Sequence, residues 1–247
     1  MRKTPPATLN LLIITVLVWL AQYAFPARFG IDLTRYLGLH YWQSDAFIPT
    51  QLVTYMFMHD TSSAMHIFCN MFGVWMFGRT LESVWGAKKF LFFYFVAGIG
   101  AGIVQEITWM VEVVPMMNDF DAAISAGSGE SLVKYQKYFE GDITKALTSN
   151  LVFLRSQVLS GYVTVGASGA LFGLLLAFGW LFPQASLFIL FIPIPIPARI
   201  FVAVYAIIEL LCGVSGVGGG VAHFAHLGGM LFGAILLYIW KKQDKLY

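Results

Sequence analysis

Long apolar runs recur along this chain, at about 9–25, 64–78, 90–110, 158–182, 199–212 and 221–240. Several approach or exceed the roughly 17–25 residues with which a helix crosses a bilayer, a length that a soluble core does not require. With 58% hydrophobic and 11% charged residues among 247, the chain reads as an integral membrane protein. The predicted fold is an all-α polytopic membrane bundle of six transmembrane helices, forming a single domain over 1–247.

The first run follows Arg2 and Lys3 but does not end in a small-x-small cleavage site, so it is taken as a span rather than a removable signal. The apolar stretch 186–197 is not a seventh span. Its Ile192-Pro193-Ile194-Pro195-Ile196-Pro197 repeat withholds backbone donors from a helix and predicts an extended turn at the membrane edge.

A net charge of +2, with no Lys/Arg cluster, gives no electrostatic footprint for a nucleic-acid partner. Cys69 and Cys212 lie inside apolar runs, where small hydrophobic packing is expected rather than a disulfide, metal or redox role.

Six crossings put Arg2/Lys3, Arg79/Lys88/Lys89, Arg199 and Lys241/Lys242/Lys245 on one side, which the positive-inside rule makes cytoplasmic along with both termini. The 26–63 loop mixes Phe29, Tyr36, Leu39, Tyr41, Trp42 and Phe47 with polar residues and is expected to lie partly in the outer leaflet, with His40 and His59 in interfacial positions. Between the third and fourth spans, 111–157 interleaves acids and lysines. It reads as an external polar insertion with a Gly127-Ser128-Gly129 turn and helical character over 130–154.

Reactive side chains occur inside these apolar runs, where an idle hydroxyl or imidazole costs free energy unless it finds a partner. Ser168 lies in Gly166-Ala167-Ser168-Gly169, and His226 in Ala225-His226-Leu227-Gly228-Gly229. The second, fourth and sixth spans run in one direction, so Ser168 and His226 should share a depth on the order of 10 Å below the outer surface. In the second span His66 and Asn70, four apart, share a helical face and suit an anionic oxygen forming beside Ser168, with the Ser168 backbone N–H as a further donor; interhelical polar packing explains the pair equally well.

These motifs resemble those of the rhomboid intramembrane serine proteases of the bacterial, six-span type. The matches are His66-x-x-x-Asn70, Gly166-x-Ser168-Gly169 and Ala225-His226-x-x-Gly229-x-x-x-Gly233, with Glu82-x-x-x-Gly86 in the turn after the second span. The resemblance implies that Ser168 is the nucleophile, His226 the general base and later acid, and His66 with Asn70 the oxyanion hole. Gly166 and Phe172 are supporting residues, Phe172 lying four after Ser168 where the family often has an aromatic. The family's Trp-Arg pair in the first loop is missing from this chain.

The outer halves of the fourth and sixth spans hold no carboxylate, so a Ser-His dyad is expected, with packing alone orienting His226. Glu106 and Glu209, near the outer ends of the third and fifth spans, have no clear role at this level. The implied partners are transmembrane protein substrates and the lipid bilayer, without cofactor, metal or nucleic acid. The implied location is the bacterial inner membrane, the site opening to the extracytoplasmic side.

Three alternatives remain at this level. A noncatalytic rhomboid-like client-binding or quality-control protein would share the fold. A metal site would draw on His66, His223 and His226, although HExxH is absent. A transporter would be expected to show internal repeats.

Overall fold

The structure, a computed structural model, describes residues 3–189, 192–216 and 222–246. Arg2, the start of the sixth run at 221 and the middle of the 186–197 stretch lie outside the described residues. The chain divides into two compact units, one of Met1–Leu39, Pro49–Gln105 and Thr164–Tyr247, the other of His40–Ile48 and Glu106–Val163.

In the first unit, α1 (Pro6–Phe29) opens with proline in its first turn and ends at Gly30, whose positive φ lets its N–H return to the Pro26 carbonyl. Helix Ala64–Ala126 is broken at Gly86, with φ 73° and ψ 164°, into α2 (64–85) and α3 (87–126). That break makes the turn after the second span. Glu82, in the last turn of α2, accepts hydrogen bonds from the Ala7 and Thr8 N–H groups at 2.9 and 2.7 Å and from Thr8 Oγ1 at 2.7 Å. Its carboxylate thus caps the start of α1, where unpaired N–H groups and the helix dipole favour an anion.

The same end of the unit holds the last helix. Trp85 Nε1 donates to the Leu246 carbonyl at 2.9 Å, and Lys89 lies over the Trp240 ring at 4.6 Å. The start of α1, the Gly86 turn and the last helical turns therefore gather together.

The second unit takes α3 from Glu106 onward, and this helix runs to Ala126, well past the expected end near 110. Hydropathy marks the stretch that suits lipid; the helix itself stops where Gly127, at φ 66°, closes a cap with Ser128 N–H on the Ala123 carbonyl. The expected helical insertion is mostly 3₁₀ turns at Gly129–Tyr138 and Ile143–Lys145, followed by α4 (Thr148–Gly161). Phe120, Leu132 and Leu151 form its core, and the Lys134–Asp119 pair at 2.7 Å and the Arg155–Asp121 pair at 2.9 Å tie the turns to α3.

Within the first unit again, the expected fourth span at 158–182 is not one helix. After α4 the chain is extended at Val163–Thr164, and α5 (Ser168–Leu181) begins at the serine itself. Ser168 is therefore at a helix N-terminus rather than partway along a span. The β-branched residues of Val163-Thr164-Val165 and the flanking Gly161 and Gly166 keep the segment apolar while favouring extended backbone. At 1.5 Å per residue, the 14 residues of α5 rise about 21 Å, short of the roughly 30 Å of a hydrocarbon core.

The Pro-Ile stretch is a strand rather than a turn: β1 (Ser186–Ile189) pairs antiparallel with β2 (Ile192–Pro197), Leu187 opposite Ile196. In a two-stranded ribbon each strand has an open edge, which accommodates prolines that cannot donate. Then come α6 (Ala198–Ser215) and α7 (His223–Lys242). Helices α5 and α7 touch backbone to backbone: a Cβ on Gly229 would lie 1.8 Å from the Gly169 carbonyl oxygen.

Leu17 and Leu20 on α1 and Ile207, Leu211 and Val214 on α6 are all exposed, on helices of membrane-spanning length and hydropathy. Surface of this kind is stable against lipid, not water. The protein is an all-α polytopic membrane bundle. Cys69 and Cys212 are both free of disulfides.

Candidate active site

The site lies in the first unit, where α2, α5, α6 and α7 contribute side chains. Ser168 Oγ and His226 Nε2 are 2.8 Å apart, although 58 residues separate them in sequence. His226 is 8% exposed, and it reaches Ser168 because glycines let α5 and α7 approach so closely.

Phe172 stacks flat on the His226 ring, with centroids 4.2 Å apart and planes 4° from parallel. Tyr205 covers the other side of Phe172 at 5.2 Å, and Phe201 follows at 5.7 Å from Tyr205. The imidazole is thus the end ring of a four-membered aromatic stack.

The expectation that packing alone would orient His226 is corrected by Glu209. This residue is 5% exposed, and its Oε2 lies 2.9 Å from His226 Nδ1 and 2.7 Å from His223 Nδ1. The carboxylate comes not from the helices of Ser168 and His226 but from the helix between them. The available signal was an acid inside the apolar run 199–212, since intramembrane acids are rarely idle. His223 is the first residue of α7 and shares this carboxylate.

Glu209, His223 and His226 also bring ligand-type atoms within 4.8 Å of one another. This set differs from the one considered from sequence, with Glu209 in place of His66. A tetrahedral zinc with bonds of about 2.0–2.1 Å holds its ligand atoms roughly 3.3 Å apart. The 2.7 and 2.9 Å separations found here are those of direct hydrogen bonds.

His66 faces the loop that leads into α5. A Cβ on Gly166 would lie 3.0 Å from His66 Nε2 and 3.7 Å from Ser168 Oγ, so only glycine, here at φ 131°, leaves that space open between them. The Asp60 N–H approaches His66 Nδ1 at 3.4 Å, favouring the tautomer in which Nε2 carries the proton and can donate. Asp60 is itself held by the backbone and side chain of Ser62, whose hydrogen bonds hold its pKa below the usual carboxylate range.

Asn70, one turn further along α2, is buried and donates from Nδ2 to the His66 carbonyl at 2.9 Å. A carbonyl cannot donate, so this bond fixes which end of the amide is which. Asn70 is thereby tied to its own helix rather than to Ser168, and one N–H of the amide is committed to that bond.

His59, expected at the interface, is instead fully buried. Its backbone is clamped by Gln22, which donates to the His59 carbonyl at 2.9 Å and accepts from the His59 N–H at 3.0 Å. Its Nε2 accepts the Ala167 N–H at 3.5 Å, and the Gly166 N–H bonds the Tyr55 carbonyl at 3.0 Å. Burial, reinforced by nearby His66, pushes the His59 imidazole down to about 3, so it is neutral at ordinary pH. It serves as an acceptor that secures the approach to Ser168.

At the start of α5, Ala167 provides no side-chain cap, and Ser168 sits at the end of the helix where the first N–H groups and the positive end of the dipole lie. The assembled groups are a hydroxyl on an imidazole, an oriented imidazole and donors around the hydroxyl. This is a constellation for acyl transfer.

Comparison with curated proteins returns no match. The family model described as Rhomboid domain matches residues 47–114 and 130–243, which include every site residue except Gln22. On that match and this architecture, the chain belongs to the rhomboid family.

Proposed function

We propose that the protein is an intramembrane serine endopeptidase that hydrolyses peptide bonds in or near the transmembrane segments of other membrane proteins. The observation that carries this reading is the 2.8 Å contact between Ser168 Oγ and His226 Nε2 at the N-terminus of a helix too short to fill a bilayer.

In the first half-reaction, His226 Nε2 takes the Ser168 hydroxyl proton as Oγ bonds to the scissile carbonyl carbon, and the carbonyl oxygen becomes an oxyanion. His226 then gives that proton to the leaving nitrogen, the C–N bond breaks, and an acyl-enzyme remains on Ser168. In the second, His226 deprotonates a water that attacks the ester and returns the proton to Oγ, releasing the new carboxyl end.

The oxyanion is met by the Ser168 backbone N–H, by His66 Nε2–H and by Asn70 Nδ2. Each is fixed before the reaction, so it stabilises the developing charge without reorganising. A substrate helix must locally unwind at the cut, because intact helical carbonyls are committed to their own hydrogen bonds.

Six crossings with both termini cytoplasmic suit the sidedness of the lysines and arginines, and they direct the site toward the opposite, extracytoplasmic face of the cell membrane. The test is cleavage of a single-span model protein by the lipid-reconstituted protein, compared with Ser168→Ala. A fragment formed only by the native chain is expected. No fragment across a varied substrate panel would overturn the reading in favour of a client-binding relative.

A further inference from the structure

We infer that Glu209 is a positioning residue for this hydrolysis, holding His226 in the tautomer that can act as a base; the inference rests on the protease reading. Burying a carboxylate in an apolar helix face is costly unless donors surround it. Two imidazole nitrogens on one oxygen, at 2.9 and 2.7 Å, supply those donors.

An ionised carboxylate can only accept, so His226 Nδ1 must carry the hydrogen it presents to Glu209. The Nε2 lone pair is then left for the Ser168 hydroxyl at 2.8 Å. The other tautomer would set the Nδ1 lone pair against a carboxylate oxygen and turn an N–H toward the serine, where it is useless as a base. Phe172 fixes the plane of the ring, but stacking cannot choose between its nitrogens. Glu209 makes that choice.

Once Nε2 has taken the serine proton, the imidazolium has its counter-charge in contact, in surroundings where an unpaired charge is expensive. The groups facing His226 are Ser168 and Phe172 on α5, Tyr205 and Glu209 on α6, His66 on α2 with Asp60 beyond it, and His223 on its own helix. His223 donates to the same oxygen from one turn earlier on α7, which holds the carboxylate in register with His226.

The experiment compares native, Ser168→Ala, Glu209→Gln and Glu209→Asp proteins in lipid vesicles, using a single-span substrate and a fluorophosphonate that labels activated serine, with melting midpoints as the check on folding. Glu209→Gln is expected to lower kcat by roughly 10²–10⁴-fold with KM within about threefold, because the amide can offer Nδ1 a donor and supplies no charge. The acid limb of its activity profile should move to lower pH, since the imidazolium loses its counter-charge. Glu209→Asp should keep the native acid limb and recover part of kcat.

Native kcat and an unmoved pH profile in a folded Glu209→Gln would overturn the inference. So would loss of native activity on chelation that zinc restores, which would give the three side chains to a metal. Should Glu209→Gln not fold, native kcat in Glu209→Asp, whose carboxylate is withdrawn by one methylene, would overturn it. If the native protein neither cleaves nor labels, the protease reading fails and the inference with it. If cleavage depends on Ser168 but is indifferent to Glu209, the inference alone fails.

Discussion

Phe172 and His226 lie face to face with their ring centroids 4.2 Å apart, so the proposed base is held in plane by the helix that carries the proposed nucleophile. Removing the ring frees the imidazole to tilt away from Ser168. Phe172→Ala is expected to lower kcat about tenfold to a hundredfold, more than it changes KM, because small misplacements of reacting groups are costly. Single-turnover cleavage in vesicles measures this directly, and an unchanged kcat would mean that the stack is only packing.

His66 and Asn70 act on the oxyanion in the proposed mechanism. Either His66→Ala or Asn70→Ala should reduce kcat by roughly tenfold to a thousandfold, the range for one lost oxyanion donor, while labelling of Ser168 persists. Asn70→Ala also releases the bond to the His66 carbonyl, so its effect should be smaller when His66 is already absent. Strict additivity in the double variant would contradict that coupling.

Gly229 tests the geometry that brings Ser168 to His226. A methyl group there would strike the Gly169 carbonyl, and backbone cannot yield as a flexible side chain does. Gly229→Ala is expected to destabilise the protein by about 1–3 kcal/mol or more and to abolish cleavage. Gly161→Ala, where a methyl meets nothing within 4 Å, should leave both unchanged. Thermal unfolding of the two variants in one detergent provides the comparison.

His59 makes stability depend on acidity. Its folded value is depressed to about 3 from 6.5, so below pH 6.5 the unfolded chain takes up a proton that the folded chain refuses. Stability should therefore be full above that pH and fall by up to about 1.4 kcal/mol per pH unit as pH drops toward 3. His59→Gln, which keeps an acceptor but does not titrate, should flatten this slope in melting curves recorded from pH 7 to pH 4. An identical slope would assign the acid sensitivity to other groups.

Much of this arrangement was legible from the chain. The apolar runs announce the bundle, and the conjunction of the Ser168, His226 and His66 motifs marks the residues that the fold assembles. What escaped has physical reasons. The start of α5 was hidden because Val163-Thr164-Val165 is as apolar as the helix it precedes, and hydropathy does not register a break in hydrogen bonding. The Gly-flanked, β-branched composition was the readable cue. Glu209 was visible as an intramembrane acid, but its partners lie 14 and 17 residues away on another helix, and helix rotation sets that pairing. Burial of His59 depends on Gln22, far away in α1, a contact that no local pattern encodes.

Tyr205 and Glu209 stand one turn apart on α6, the first bracing Phe172 behind the imidazole and the second holding Nδ1. A displacement of α6 would withdraw both supports together. The plane of the imidazole and the choice between its nitrogens thus depend on the seating of a single helix.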